Sequence, residues 1–219
     1  MGEFSIIAKG IRKDFNRRVI FDHISFELSK HDSLSITGPN GSGKSTLVKI
    51  LGGLLTPTAG SVTMTTEKSS IKTEERREYL GFVAPYLQLY DEFTGYENLF
   101  LAIRIRGRAG APVEIDGLLK RVGLFFCKND RVGTYSSGMK QRLKYAFALL
   151  HKPLLLILDE PMSNLDEAGI ELVGEIIEEQ KQTGVVIVAT NDADEARLCQ
   201  QNLHLNLNLT KTPEVAVFS

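Results

Sequence analysis

The run Gly38-Pro39-Asn40-Gly41-Ser42-Gly43-Lys44-Ser45-Thr46 has the spacing G-x-x-x-x-G-K-[ST]. Its glycines let the backbone curl until several N–H groups face one anion. A helix that starts here adds its positive N-terminal end. Lys44 supplies a point charge for β- and γ-phosphates, and the Ser45 hydroxyl is placed to ligate Mg²⁺. A second chemical pair follows the apolar run Leu155-Leu156-Ile157-Leu158, which ends in Asp159 and Glu160. Ligands of open α/β sheets sit beyond the carboxyl ends of the strands. Asp159 is then placed to hold Mg²⁺ through its water shell, and Glu160 to polarise an attacking water. A third feature is the turn Tyr135-Ser136-Ser137-Gly138-Met139. Ser136 suits an N-cap and Gly138 permits close backbone approach, so this turn reads either as an ordinary helix start or as a second phosphate-binding helix end.

These residues need elements to carry them. Phe4, Ile6 and Ala8, and again Ile24, Phe26 and Leu28, alternate with other residues as strands do, with a hairpin turn expected at Asn16-Arg17-Arg18. Leu34 and Ile36 lead into the glycine turn, and Thr46–Leu51 reads as a helix. A strand is expected at 61–66, then a polar loop and short helix at 68–78. Tyr96–Ile105 and Glu114–Val122 read as helices around the flexible stretch Gly107-Arg108-Ala109-Gly110. From Met139, the residues Leu143, Ala146, Phe147 and Leu150 share one helical face with it. Leu154–Leu158 and Val185–Ala189 are fully apolar strands, separated by a helix carrying Ile170, Val173, Ile176 and Ile177. Continuous apolar strands alternating with helices imply a parallel sheet buried on both faces. In the tail, Leu203, Leu205, Leu207 and Leu209 alternate with polar residues, as in a half-buried edge strand. The reading is an α/β core with a mostly β start and a helical insertion near 85–150.

Composition narrows the function. The chain has 219 residues, 42% of them hydrophobic and 24% charged, with a net charge of −1. That balance exerts no general pull on nucleic acid or anionic lipid, so no nucleic-acid partner is expected. Cys127 and Cys199 are too few for a disulfide framework and suit a reducing cytosol. The four histidines, His23, His31, His151 and His204, lack metal-ligand spacing. Leu154–Leu158 and Val185–Ala189 have five residues each, and no apolar run exceeds six. A bilayer span needs about 20. No signal peptide is visible at the start. A membrane role would therefore require a separate partner chain.

Taken together, the motifs resemble those of the nucleotide-binding subunits of ATP-binding cassette (ABC) transporters, from about Phe4 to Leu209. The order matches: Walker A at 38–46, the signature at 135–139, Walker B at 155–160, then Ser163-Asn164-Leu165-Asp166 resembling the D-loop. The resemblance implies an α/β fold with a P-loop NTPase core, a mostly parallel sheet, an N-terminal antiparallel β part and a helical subdomain insertion. It implies one such ATPase domain over 1–219, with the helical subdomain at about 86–150. ATP and Mg²⁺ are the implied cofactors, with Gly38 to Thr46 on the phosphates, Ser45 and Asp159 on the metal, and Glu160, Asn191 and Asp166 as catalytic positions. Phe15 lies where the family places an aromatic that stacks on adenine. The implied partners are a second nucleotide-binding subunit, identical or different, and a transmembrane subunit docked near 86–105. Ser136 and Gly138 of one subunit would face the ATP held by the other, at the cytoplasmic face of the membrane.

Three departures bear on activity. The signature usually reads Leu-Ser-Gly-Gly-Gln, but this chain keeps only its serine and second glycine. Nine residues before Thr94, where the family has the Q-loop glutamine, stands Pro85, with Gln88 three residues on. Asn191 replaces the switch histidine; it can hydrogen-bond a γ-phosphate but cannot carry positive charge or shuttle a proton. The expectation is an active but slow ATPase. Alternatives of another class are an ATP-gated dimerisation module with little turnover and a soluble cassette of an assembly system. Ser136 lies only 92 residues after Lys44 with no sustained heptads between, which disfavours a DNA-repair cassette with a long coiled coil. The transported substance and the direction of transport are not legible.

Overall fold

The computed structural model describes residues 4–16, 18–67, 69–107, 112–206 and 215–217. Two sheets carry the chain. The first is antiparallel and has the order β2-β1-β4-β5. It consists of β1 (Ser5–Phe15), β2 (Arg18–Ser29), β4 (Ala59–Thr66) and β5 (Ser69–Ile71). The alternation read at Phe4, Ile6 and Ala8 and at Ile24, Phe26 and Leu28 is the inward face of this sheet. The second sheet has the order β10-β9-β3-β8-β7-β6. Its strands are β3 (Ser33–Thr37), β6 (Leu80–Val83), β7 (Leu155–Asp159), β8 (Val185–Ala189), β9 (Gln201–His204) and β10 (Val215–Val217). All its pairs are parallel except β9 with β10.

The two faces of this sheet explain why β7 and β8 are apolar throughout. Leu155, Ile157, Val185, Ile187 and Ala189 join a core with α1 (Lys44–Leu51) and the antiparallel sheet. Leu156, Leu158, Val186 and Val188 join a core on the opposite face. That core includes residues of α2 (Gly95–Ile105), α3 (Pro112–Arg121), α4 (Ser137–Leu149) and α5 (Glu167–Thr183). α6 (Ala193–Ala196) is a single turn after β8. No helix among the described residues is long and apolar enough to cross a membrane.

The fold departs from the expectations in a few places. The polar stretch 68–78 holds the short strand β5 and a 3-10 turn, Thr73–Glu78. β6 was not expected at all. Ile170 is exposed on α5, while Val173, Ile176 and Ile177 are buried. The tail strand is not an edge strand: β9 pairs with β3 on one side and β10 on the other. Its half-buried alternation is as read: Leu203 and Leu205 are buried, and His204 and Asn206 are exposed. Leu207 and Leu209, Arg17 of the expected hairpin turn, and Arg108, Ala109 and Gly110 of the flexible stretch lie outside the described residues.

Candidate functional site

Parallel pairing delivers the chemistry-bearing residues to one end of the sheet. β3 and β8 run side by side with Ile36 opposite Ala189, and β7 flanks β8 with Asp159 opposite the same Ala189. The loop after β3, the acids after β7 and the segment after β8 thus leave the sheet together. The Thr190 N–H donates to the Ile36 carbonyl at 3.0 Å, and the Glu160 N–H donates to the Ala189 carbonyl at 2.8 Å. Three segments far apart in sequence are thereby stitched at their exits.

The 38–46 loop is tightly wound. Gly38 has φ 144°, and a Cβ there would lie 2.4 Å from the Leu205 carbonyl oxygen, so only glycine fits. The Ser42 N–H donates to the Pro39 carbonyl at 3.1 Å. Gly43 precedes α1 without a side-chain cap, so no side chain competes for the amides of the first helical turn. Those amides are suited to an anion. Lys44 is buried and bends back over the loop, its Nζ donating to the carbonyls of Gly38 at 2.8 Å and Pro39 at 3.4 Å.

Asp159 is 1% exposed, and neither carboxylate oxygen completes a hydrogen bond among the described residues. Burial raises its carboxyl above the ordinary range, while Ser45, Lys44, Lys49 and Tyr86 oppose the rise. An unpaired buried carboxylate is costly unless a cation or donor meets it. Facing Ser45, it suits a hard divalent cation such as Mg²⁺. No group of three or more His, Cys, Asp or Glu that could hold a metal ion is found among the described residues. Phosphate and water would therefore supply the other ligands, which is the usual habit of Mg²⁺. Glu160, next along, is raised chiefly by burial, with Lys44 opposing and the Asp159 charge adding. Its φ of 51° is left-handed, which turns its side chain away from the run of β7.

Asn191 reaches the phosphate loop: its Nδ2 donates to Asn40 Oδ1 at 3.3 Å. Tyr86 is a residue that the sequence reading missed. Its ring lies 4.0 Å from Lys49 Nζ, and burial together with the Asp159 charge pushes its phenol well up. Its signal was only positional, directly after Pro85 beyond β6. Gln88 is exposed and makes no side-chain hydrogen bond among the described residues.

The remaining candidates are placed elsewhere. Phe15 is 45% exposed at the end of β1, with Lys13 Nζ 4.8 Å from its ring centroid. Ser136 caps α4, its Oγ accepting the Met139 N–H at 3.2 Å. A Cβ on Gly138 would stand 3.0 Å from the Asn164 carbonyl oxygen. Among the described residues no hydrogen bond joins Ser136 or Gly138 to the 38–46 loop. Asp166 caps α5 by accepting the Gly169 N–H at 3.0 Å. It also pairs with Arg142, which holds its carboxyl below the usual range.

The family model described as ABC transporter matches residues 21–163. The chain is 38% identical over 171 residues to the ABC transporter ATP-binding protein YdbJ of Bacillus subtilis, covering 78% of this chain and 55% of YdbJ. It is 32% identical over 210 residues to YybJ, another ABC transporter ATP-binding protein of that organism, with 95% of each chain covered. The chain thus spans little more than half of YdbJ and nearly all of YybJ. In fold it is similar to an ATP-binding cassette solved as a post-hydrolysis dimer bound to ADP and Pi. The TM-score is 0.83 at 23% identity, covering 98% of this chain and 99% of that one.

Proposed function

This chain belongs to the ABC transporter family, and from that premise we propose that it binds and hydrolyses ATP to drive a separate transmembrane subunit. One observation carries the reading. The 38–46 loop leaves β3 and the buried Asp159 ends β7, on either side of β8 and at the same end of the sheet, with Glu160 next to Asp159. On this reading the whole chain is one ATPase domain, with about 86–150 as its helical part.

The amides of residues 41–46 would grip the phosphate tail, and Lys44 would exchange its loop carbonyls for the β- and γ-phosphates. Ser45 and Asp159 would hold Mg²⁺, which neutralises phosphate charge when bound. Glu160 would accept a proton from the attacking water. Its raised pKa brings it nearer neutral pH, where a general base works best. Asn191 would donate an amide N–H to the γ-phosphate. Phe15 would stack on the adenine. Ser136 and Gly138 would meet the ATP of a second subunit, identical or related, by way of the N-terminus of α4. Asp166, tied to Arg142, would set the loop between Glu160 and α5 at that interface.

Slow turnover is expected from Asn191 and Pro85, since removing one oriented contact costs about 10²–10³ in rate. The test is single-turnover hydrolysis of ATP by the purified chain, with Glu160→Gln as control. Hydrolysis above background that the control abolishes supports the ATPase. Tight ATP binding without turnover refutes it in favour of an ATP-gated dimerisation module. Co-purification with a membrane protein separates the transport reading from a soluble assembly cassette.

A further inference from the structure

The turn that carries Glu160 is held by side chains of two elements, all outside every motif named above. Pro161 is buried, and as a proline it has no N–H of its own with which to anchor the turn. Its carbonyl instead accepts two hydrogen bonds from α4, one from Tyr145 Oη at 2.7 Å and one from Gln141 Nε2 at 3.3 Å. Tyr145 and Gln141 lie one helical turn apart on the same face, and both are buried. The next residue is held by a different element. The Met162 N–H donates to Glu195 Oε1 at 3.3 Å. Glu195 is buried and belongs to α6. Asp192 fixes the start of α6 by accepting the N–H groups of Asp194 at 2.7 Å and Glu195 at 3.0 Å.

Glu160 needs such a hold. A non-glycine residue at φ 51° carries backbone strain. Such strain persists only where the surroundings over-determine it. The direction of the Glu160 side chain is therefore set by whatever fixes residues 161 and 162. Those holds come from α4, which begins beside Ser136 and Gly138, and from α6, which begins just after Asn191.

We propose that Tyr145 and Glu195 are positioning residues for Glu160, gripping the 161–162 backbone so that the carboxylate faces the phosphate loop. A shift of α4, or of the segment after β8, then re-aims Glu160. The proposal rests on Glu160 acting as the base of the ATPase reading.

The experiment measures ATP hydrolysis by Tyr145→Phe, Glu195→Leu and Glu195→Gln in the full chain. Tyr145→Phe and Glu195→Leu are expected to lower kcat about tenfold to 10²-fold, as small misplacements of catalytic groups do. KM for ATP is expected to stay unmoved. Glu195→Gln keeps an oxygen acceptor for the Met162 N–H and is expected to retain most of kcat. The proposal is overturned by unchanged kcat, by a rise in KM matching the fall in kcat, or by Gln failing as badly as Leu.

Amide hydrogen exchange gives a readout independent of turnover. Tyr145→Phe is expected to speed exchange at Glu160, Met162 and Ser163 while leaving β7 protected. Unaltered exchange at those amides overturns the clamp even if the chain hydrolyses ATP. A wild-type chain without turnover refutes the ATPase reading, and exchange then still decides whether the clamp exists.

Discussion

The Asn191 side chain donates to the Asn40 side-chain oxygen at 3.3 Å, tying the exit of β8 to the phosphate loop. Both residues are exposed, so a phosphate entering the loop competes for the same amide. An amide can make that exchange as a neutral donor, without the charge of a histidine. Asn191→Ala is expected to lower single-turnover hydrolysis by about 10²–10³. Asn191→His is expected to raise it above wild type. Equal rates in all three proteins would remove Asn191 from the reaction.

Tyr86 and Gln88 compete for the place of the missing glutamine, and the structure separates them. Both are exposed, but Tyr86 stands between Lys49 and Asp159, whereas Gln88 makes no side-chain hydrogen bond among the described residues. Tyr86→Ala removes both the ring under Lys49 and the phenol near Asp159. It is expected to reduce hydrolysis about tenfold and to weaken its dependence on Mg²⁺, whereas Gln88→Ala leaves both unchanged. Rates at graded Mg²⁺ concentrations check this; a loss confined to Gln88→Ala would reverse the assignment.

Motif residues were legible in the sequence because their spacing is itself the mechanism. Gly38 to Thr46 needs only a curled backbone and a helix start, and both are local. β7 and β8 were legible because strands buried on both faces have no polar positions. β6 was hidden because it has only four residues, one of them glycine, and its strand character comes from pairing with β7. Tyr86 was hidden for the related reason that its neighbour Asp159 is reached through that same pairing. Glu195 sits in the acidic run Asp192-Ala193-Asp194-Glu195, which reads as a solvated face. Only the packed α6 shows that this one acid points inward.

Asp159 sets function against stability. Its carboxyl is raised by burial, so the folded chain holds this proton more tightly than the unfolded chain does. The cost of the buried charge grows as pH rises from the unfolded carboxylate range through the raised folded value, and is complete above it. Asp159→Asn removes that charge. It is expected to raise Tm by roughly 2–4 °C at neutral pH, the shift that about 1 kcal/mol produces at this chain length. The gain is expected to vanish in acid, below the ordinary carboxylate range, where Asp159 itself is protonated. The same variant is expected to lose Mg²⁺-dependent ATP hydrolysis. Melting curves across pH check the sign, and a variant less stable than wild type at neutral pH would contradict it.

Ser136 distinguishes a helix cap from an intersubunit contact. Its Oγ accepts the Met139 N–H at 3.2 Å, and losing such a cap costs about 1 kcal/mol. If capping were its whole role, Ser136→Ala would lower Tm by roughly 2–4 °C and leave ATP-dependent assembly intact. If Ser136 also meets the ATP of a second subunit, the same variant blocks dimer formation while each chain still binds ATP. Assembly is best read in the Glu160→Gln background, which keeps ATP unhydrolysed. Light scattering with and without ATP is expected to show a dimer for Glu160→Gln alone. For the double variant it is expected to show a monomer, with ATP affinity per chain unchanged. Ser137 is exposed beside Ser136 but does not cap α4, so Ser137→Ala is the matched control and is expected to dimerise normally. A dimer that survives Ser136→Ala would confine Ser136 to its cap and leave Gly138 and the α4 amides as the only contacts on offer from this turn.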